Sequence, residues 1–149
     1  MTTFSLDSSV VIAWILQENQ RWRSIDRILT ADGADPVLPA PGLAEVIATV
    51  RRKGNTTSPQ GIALALNSVG IRTELMGVPD LVRAAELYER SSAHPGSVNP
   101  RTRIRATLSW GDCLILSIAE RLGTQIVTLD RYWSIFAQQG HTSARIVQL

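Results

Sequence analysis

The stretch Phe4-Ser5-Leu6-Asp7-Ser8-Ser9-Val10-Val11-Ile12-Ala13, FSLDSSVVIA, sets one carboxylate between an apolar segment and a seven-residue apolar run, Val10 to Leu16. Thr2 to Leu6 reads as a short strand. Ser8 to Gln17 reads as a helix whose apolar run implies burial on more than one side. Asp7 therefore stands where a strand hands over to a helix. Two readings are open at this point: the acid caps the helix that begins at Ser8, or it belongs to a pocket whose other members lie far along the chain.

Outward from this stretch the pattern repeats. A second helix is expected around Gln20 to Ala31, followed by turn chemistry in ADGADP and a short strand in VLPA. Pro41 suits the first turn of a helix that runs to about Lys53, where Gly54 and Asn55 stop it. Ser58 can cap another helix ending near Gly70. IRTELMGV reads as a third strand, and Pro79 to Ser91 as a helix with Leu81, Ala84, Ala85 and Tyr88 at helical spacing. The segment SSAHPGSVNPRTRIRATLS, with two prolines and a glycine, breaks the periodicity and reads as a long loop over 92–108. Ser109 to Leu122 is an apolar helix stopped by Gly123, QIVTL a strand, Tyr132 to Gln139 a short helix and ARIVQL a last strand. Strands alternating with helices predict an α/β fold: a three-layer α/β/α sandwich on a mostly parallel central sheet of four to five strands. The 149 residues fit one domain, 1–149, with no internal repeat.

Composition narrows the classes. Apolar residues make up 44% of the chain and charged ones 19%, scattered rather than blocked, so the chain is expected to fold. The longest apolar run falls far short of the roughly 20 residues that cross a bilayer, and the first residues lack a signal peptide's basic start, so a cytoplasmic protein is expected. The single cysteine, Cys113, excludes an internal disulfide, and no Cys/His cluster has zinc spacing. Net charge is +2, but Lys53 is the only lysine among 15 basic residues. An arginine-rich surface is compatible with phosphate, although base composition of a genome also drives arginine usage.

Two expected strands end in an acid, FSLD at Asp7 and VTLD at Asp130. In an open parallel sheet both would lie at the carboxyl edge, where the working crevice is found. Glu45 and Asp112 fall in the first turns of two helices that begin near that edge. Each acid has a local explanation too: Asp7 and Asp130 as N-caps, Glu45 as a charge at the positive end of its helix, and Asp112, three after Ser109, in a capping box. Together they describe one acidic crevice more economically than four separate caps do. Carboxylates gathered in this way require a cation to stay ionised, and an all-oxygen set suits Mg²⁺ or Mn²⁺ in company with a substrate phosphate.

Four segments carry a family resemblance: FSLDSSVVIAWIL with Asp7, LPAPGLAEVIATVRR with Glu45, LSWGDCLILSIAERLG with Asp112 and IVTLDRYW with Asp130. In this order, over nearly the whole chain, they resemble the PIN-domain ribonucleases, specifically VapC-type toxins of toxin–antitoxin pairs. The resemblance implies a PIN-like nuclease domain acting as a Mg²⁺- or Mn²⁺-dependent endoribonuclease in the cytoplasm. Its phosphodiester cleavage by metal-activated water leaves a 5′ phosphate and a 3′ hydroxyl. It also implies a homodimer and a small cognate antitoxin as partner. By position, Asp7 and Asp112 would be principal metal ligands, Glu45 would share the pocket, and Asp130 would hold a water, a second metal or the ligand geometry. Ser8 and Thr128 match pocket hydroxyls. The chain departs from the family in the longer stretch before LSWGD, where Arg101, Arg103 and Arg105 alternate. If extended, they would share one face and could follow an RNA backbone.

The remaining residues have plainer expectations. His94 and His141 are expected at the surface, and Cys113 as a small buried hydrophobe. Trp14 and Trp110 are expected in the core or a subunit interface, and Trp22 and Trp133 to be exposed. A receiver-type phosphoacceptor also gathers acids at a sheet edge, but it needs a lysine after a late strand, and Lys53 lies in the first half. A non-catalytic PIN-fold interaction module is the other alternative, and a broken acid set would mark it.

Overall fold

In the computed structural model, which describes residues 1–149, strands and helices alternate as the pattern requires. The order is β1 (Thr2–Leu6), α1 (Ser8–Ile15), α2 (Arg21–Leu29), β2 (Ala34–Pro39), α3 (Ala40–Arg52), α4 (Pro59–Ser68), β3 (Arg72–Glu74), α5 (Val78–Ala93), α6 (Trp110–Leu122), β4 (Gln125–Thr128), α7 (Arg131–Gln138) and β5 (Arg145–Gln148). The strands form one sheet in the order β3-β2-β1-β4-β5. Every pairing is parallel, because each strand is followed by at least one helix that carries the chain back to the opposite edge.

Period-two alternation divides the sheet's side chains between two cores. Ile126 of β4 packs with Leu87 of α5, Leu116 of α6 and Trp133 of α7. Its neighbour Val127 packs on the other face with Val10 of α1, Ile25 of α2 and Val46 of α3. Helices therefore cover both faces, the three-layer arrangement that the sequence predicts.

Local chemistry sets the boundaries. The Ser58 hydroxyl accepts from the Gly61 N–H at 3.0 Å and starts α4. Gly123, at φ +64°, closes α6 in the left-handed conformation that glycine adopts without strain. The third strand is shorter than IRTELMGV suggests: the Asp80 carboxylate accepts from the Gly77 N–H at 2.8 Å and fixes the start of α5, so pairing stops at Glu74.

The 92–108 segment is neither helix nor regular strand, but it is ordered as a hairpin. Val98 and Arg105 form an antiparallel bridge, the Gly96 N–H donates to the Ala106 carbonyl at 2.7 Å and that of Asn99 to Ile104 at 2.8 Å. The Asn99 side chain accepts from the N–H groups of Arg101 and Thr102, which turns the chain. This corrects the extended reading: Arg101 sits in the turn and Arg103 has φ +60°, so Arg101, Arg103 and Arg105 do not line one face of a strand.

One tryptophan differs from expectation. Trp133 is fully buried, with its Nε1 unpartnered, because α7 lays it into the second core. Trp110 is 53% exposed. Trp14 is partly buried and donates to Asp26 at 3.1 Å, tying α1 to α2. No helix is long and apolar enough to cross a membrane.

Candidate active site

The strand order runs outward from β1 to β3 on one side and through β4 to β5 on the other. The connections therefore diverge between β1 and β4, the place beyond the carboxyl ends where open parallel sheets bind their ligands. Asp7 directly follows β1, and Thr128 is the last residue of β4. Register pairs Leu6 with Val127, and the Asp7 N–H donates to the Val127 carbonyl at 2.9 Å. Asp7 is thus held against the neighbouring strand's end before its side chain makes any contact.

That side chain does not cap α1. It is buried, at 3% exposure, and its Oδ2 accepts from Ser9 Oγ at 2.5 Å and Thr128 Oγ1 at 2.8 Å. Ser8 Oγ donates to Glu45 Oε2 at 2.8 Å, with Asp7 Oδ1 at 3.5 Å. Glu45 arrives from the second turn of α3. Its other oxygen lies against Gly111 of α6, where an added Cβ would stand 1.9 Å from Oε1. Only a glycine at 111 lets α6 come this close to the Glu45 carboxylate. Asp112 follows in the first turn of α6: its Oδ2 accepts from the Ser109 N–H at 2.8 Å, and its own N–H donates to Ser109 Oγ at 3.1 Å. Asp112 is both a capping-box residue and a neighbour of Asp7 and Glu45.

Electrostatics link these three acids. Burial pushes the Asp7 carboxyl above the usual range, the Ser9 and Thr128 hydrogen bonds oppose this, and the charge of Glu45 adds to it. Asp112 is pushed up to about 7 by burial, against the pull of the Ser109 N–H, with Asp7 and Glu45 raising it further. No basic side chain pairs with any of them, since the six salt bridges use other acids. Three acids drawn from β1, α3 and α6 therefore share a region of uncompensated negative charge.

Asp130 stands apart. It is exposed, and its Oδ1 accepts from the Tyr132 N–H at 2.9 Å, so it caps α7 as its local reading anticipates. Its tie to the others is indirect: its N–H donates to Thr128 Oγ1 at 3.0 Å, and that hydroxyl donates to Asp7. Of the two expected pocket hydroxyls, Thr128 is fully buried and contacts Asp7, and Ser8 contacts Glu45. Arg101, Arg103 and Arg105 are exposed on the hairpin that precedes α6. Two residues were missed in the sequence. Ser9 could have been found as a hydroxyl two residues after an acid at a helix start, a spacing that favours a local hydrogen bond. Gly111 carries no local signal, because the atom it makes room for is 66 positions away.

The donor chemistry fits a hard divalent cation: carboxylate oxygens, partly or fully buried, without a basic counterpart. As the side chains stand, no three His, Cys, Asp or Glu groups converge tightly enough to hold an ion between them. Each carboxylate has its own donors: Ser9 and Thr128 for Asp7, Ser8 for Glu45, and the Ser109 N–H for Asp112.

The PIN domain family model matches residues 5–138, and the chain belongs to the PIN domain family. Among solved structures it is similar to VapC20 of Mycobacterium tuberculosis, described as a Sarcin-Ricin loop cleaving toxin. That match has 16% identity, covers 89% of this chain and 93% of the other, and has a TM-score of 0.70. It is also similar to VapBC2 of Rickettsia felis bound to a promoter DNA fragment, at 13% identity, 99% of both chains and a TM-score of 0.65. VapBC-1 of nontypeable Haemophilus influenzae matches at 13% identity over 99% of this chain and 98% of the other, TM-score 0.65. A search of curated proteins finds no match.

Proposed function

We propose that this chain is a divalent-metal-dependent endoribonuclease, the toxin of a VapC-type toxin–antitoxin pair acting in the cytoplasm. The observation that carries the reading is the electrostatic coupling of Asp7, Glu45 and Asp112 at the diverging point of a PIN-fold sheet, with no basic side chain to neutralise them. When bound there, Mg²⁺ or Mn²⁺ would polarise water and offset charge on the scissile phosphate. Asp7, Glu45 and Asp112 would hold the ion, and Asp130 would act from the rim, through Thr128 or a water. Ser9 and Thr128 fix the Asp7 carboxylate, and Ser8 fixes that of Glu45, so the acids are oriented before substrate arrives.

The similar structures include chains solved with their antitoxins, which supports an antitoxin as partner. Exposed Leu75, Met76, Val78, Leu81 and Val82 at the start of α5 form an apolar surface suited to a second copy, which supports a homodimer. One observation favours a second reading, a non-catalytic interaction module: Asp112 and Asp130 both make capping hydrogen bonds that account for them locally.

Cleavage separates the two readings. Purified chain freed of any antitoxin is expected to cut RNA only with Mg²⁺ or Mn²⁺. Asp7→Asn and Asp112→Asn should each lower the rate by about a hundredfold or more, beyond the roughly 10- to 100-fold that losing a group behind a metal ligand costs, with circular dichroism unchanged. Equal cutting by wild type and both variants would point to a contaminating nuclease, and no cutting by any would favour the interaction module.

A further inference from the structure

Trp110 opens α6 with its indole stacked on Tyr88 of α5, ring centroids 4.0 Å apart and planes 9° from parallel. It is nevertheless 53% exposed, so the indole face turned away from Tyr88 is open to solvent. The pair is rigid: Tyr88 is carried by a 16-residue helix, and Trp110 by a helix start locked by the Ser109–Asp112 capping box. Trp110 and Asp112 share the first turn of α6 but leave it on different sides, since side chains two apart on a helix do not face each other: Trp110 lies on α5, and Asp112 faces Asp7 and Glu45.

The hairpin that leads into α6 carries charge of one sign. No acid occurs between Ser91 and Gly111, while Arg101, Arg103 and Arg105 are exposed on the hairpin and none enters a salt bridge. An open aromatic face that follows a hairpin of unpaired guanidinium groups is a combination that binds single-stranded nucleic acid: bases stack and arginines follow the backbone. A second protein chain could also cover Trp110, but three unpaired arginines without one acid complement a polyanion better than an ordinary protein surface.

We infer that the Trp110–Tyr88 stack is a nucleobase platform for single-stranded RNA. It seats one base of the strand at the α5–α6 edge, while the hairpin arginines hold the backbone. This rests on the ribonuclease reading and adds a subsite to it.

The test is binding of a fluorescein-labelled short single-stranded RNA, read by anisotropy in an Asp112→Asn background so that the RNA stays intact. Trp110→Ala is expected to weaken binding about tenfold, the scale of one lost base stack, and Trp110→Phe about two- to threefold. RNA with an abasic position at the stacked nucleotide should lose the same factor against Trp110 and nothing more against Trp110→Ala. With Asp112 intact, Trp110→Ala should raise KM more than it lowers kcat. RNA affinity indifferent to Trp110, or an equal abasic loss with and without the indole, would overturn the platform. So would a Trp110→Ala chain that changes its sedimentation or antitoxin binding but not its RNA affinity. Since Trp110→Phe keeps a ring on Tyr88, equal tenfold losses for Ala and Phe would mean a packing role and also overturn it. If the unsubstituted chain cuts RNA while these variants bind normally, the platform fails and the nuclease stands; if it neither binds nor cuts, both fail.

Discussion

Asp112 carries two demands that pull in opposite directions. The capping box needs its oxygen on the Ser109 N–H, while burial and the charges of Asp7 and Glu45 lift its carboxyl to about 7. In the unfolded chain the same group loses its proton near 3.9. Between roughly pH 4 and 7 the folded protein therefore holds a proton that the unfolded chain has released. The group's stabilising contribution is complete at low pH and is lost as pH rises through 7. Asp7 shifts in the same direction. The acids held low by partners, Asp80 by the Arg121 guanidinium and the Gly77 N–H, and Glu120 by Arg83 and Thr142, act oppositely, but their losses fall at acid pH. His141, held low by burial and by the charges of His94 and Arg90, acts oppositely in the same range. Thermal melts in EDTA at pH 5.5 and 8.0 therefore weigh the pocket against it: the wild type melts lower at pH 8.0, and Asp112→Asn removes or reverses the difference. Adding Mg²⁺ or Mn²⁺ at pH 8.0 should raise the wild-type midpoint, as any ligand of the folded state does. A wild type that melts higher at pH 8.0 in EDTA would contradict the assignment of strain to this pocket.

At the scale of elements, the sequence makes legible those parts that have a local cause. Ser58 before Pro59, Gly123 after Leu122 and the apolar periodicity of α5 and α6 each announce a boundary or a face. The hairpin between α5 and α6 was not legible, because its order comes from contacts across the chain. Tyr132 Oη lies 3.0 Å from Ser91 Oγ and donates to the His94 carbonyl at 2.9 Å. Ser91 Oγ in turn accepts from the Leu108 N–H at 2.7 Å. Gly96 packs so closely on the Tyr132 ring that a Cβ would lie 2.7 Å from it. One phenol on α7 thus pins both ends of the hairpin, and α7 is itself capped by Asp130. Tyr132→Phe keeps the ring but strips these hydrogen bonds from buried partners, at a cost of about 1–3 kcal/mol. If that loss falls on the hairpin rather than on the whole domain, trypsin should cut after Arg101, Arg103 or Arg105 roughly tenfold faster in the variant, with the global melting point lowered only modestly. Unchanged cleavage kinetics would show that the hairpin's own hydrogen bonds suffice.

For the molecule as a whole, the acids at the sheet edge were legible because a parallel sheet sends every strand end to one side, so FSLD and VTLD imply a shared edge without any knowledge of strand order. What the sequence could not supply was the order β3-β2-β1-β4-β5, which puts β1 beside β4. It therefore could not tell that Asp7 would be bound through Thr128 while Asp130 stayed at the rim as a cap. The same β4 joins the two cores, since Ile126 and Val127 point to opposite faces, so neither helical layer can separate without disrupting the sheet. Cys113 reports on this coupling. It is fully buried in α6, and burial, with a smaller push from the neighbouring Asp112, lifts its thiol to about 12. A thiol that is both shielded and almost wholly protonated is a poor nucleophile. In the native protein at pH 8, Ellman's reagent should therefore react with essentially no thiol, and with one per chain in denaturant. If the two cores unfold together, the denaturant midpoint for thiol exposure should coincide with that for the change in tryptophan fluorescence and with that for loss of helical circular dichroism. Thiol exposure at markedly lower denaturant would mean that α6 detaches from β4 before the sheet opens, and that the two cores are separate cooperative units.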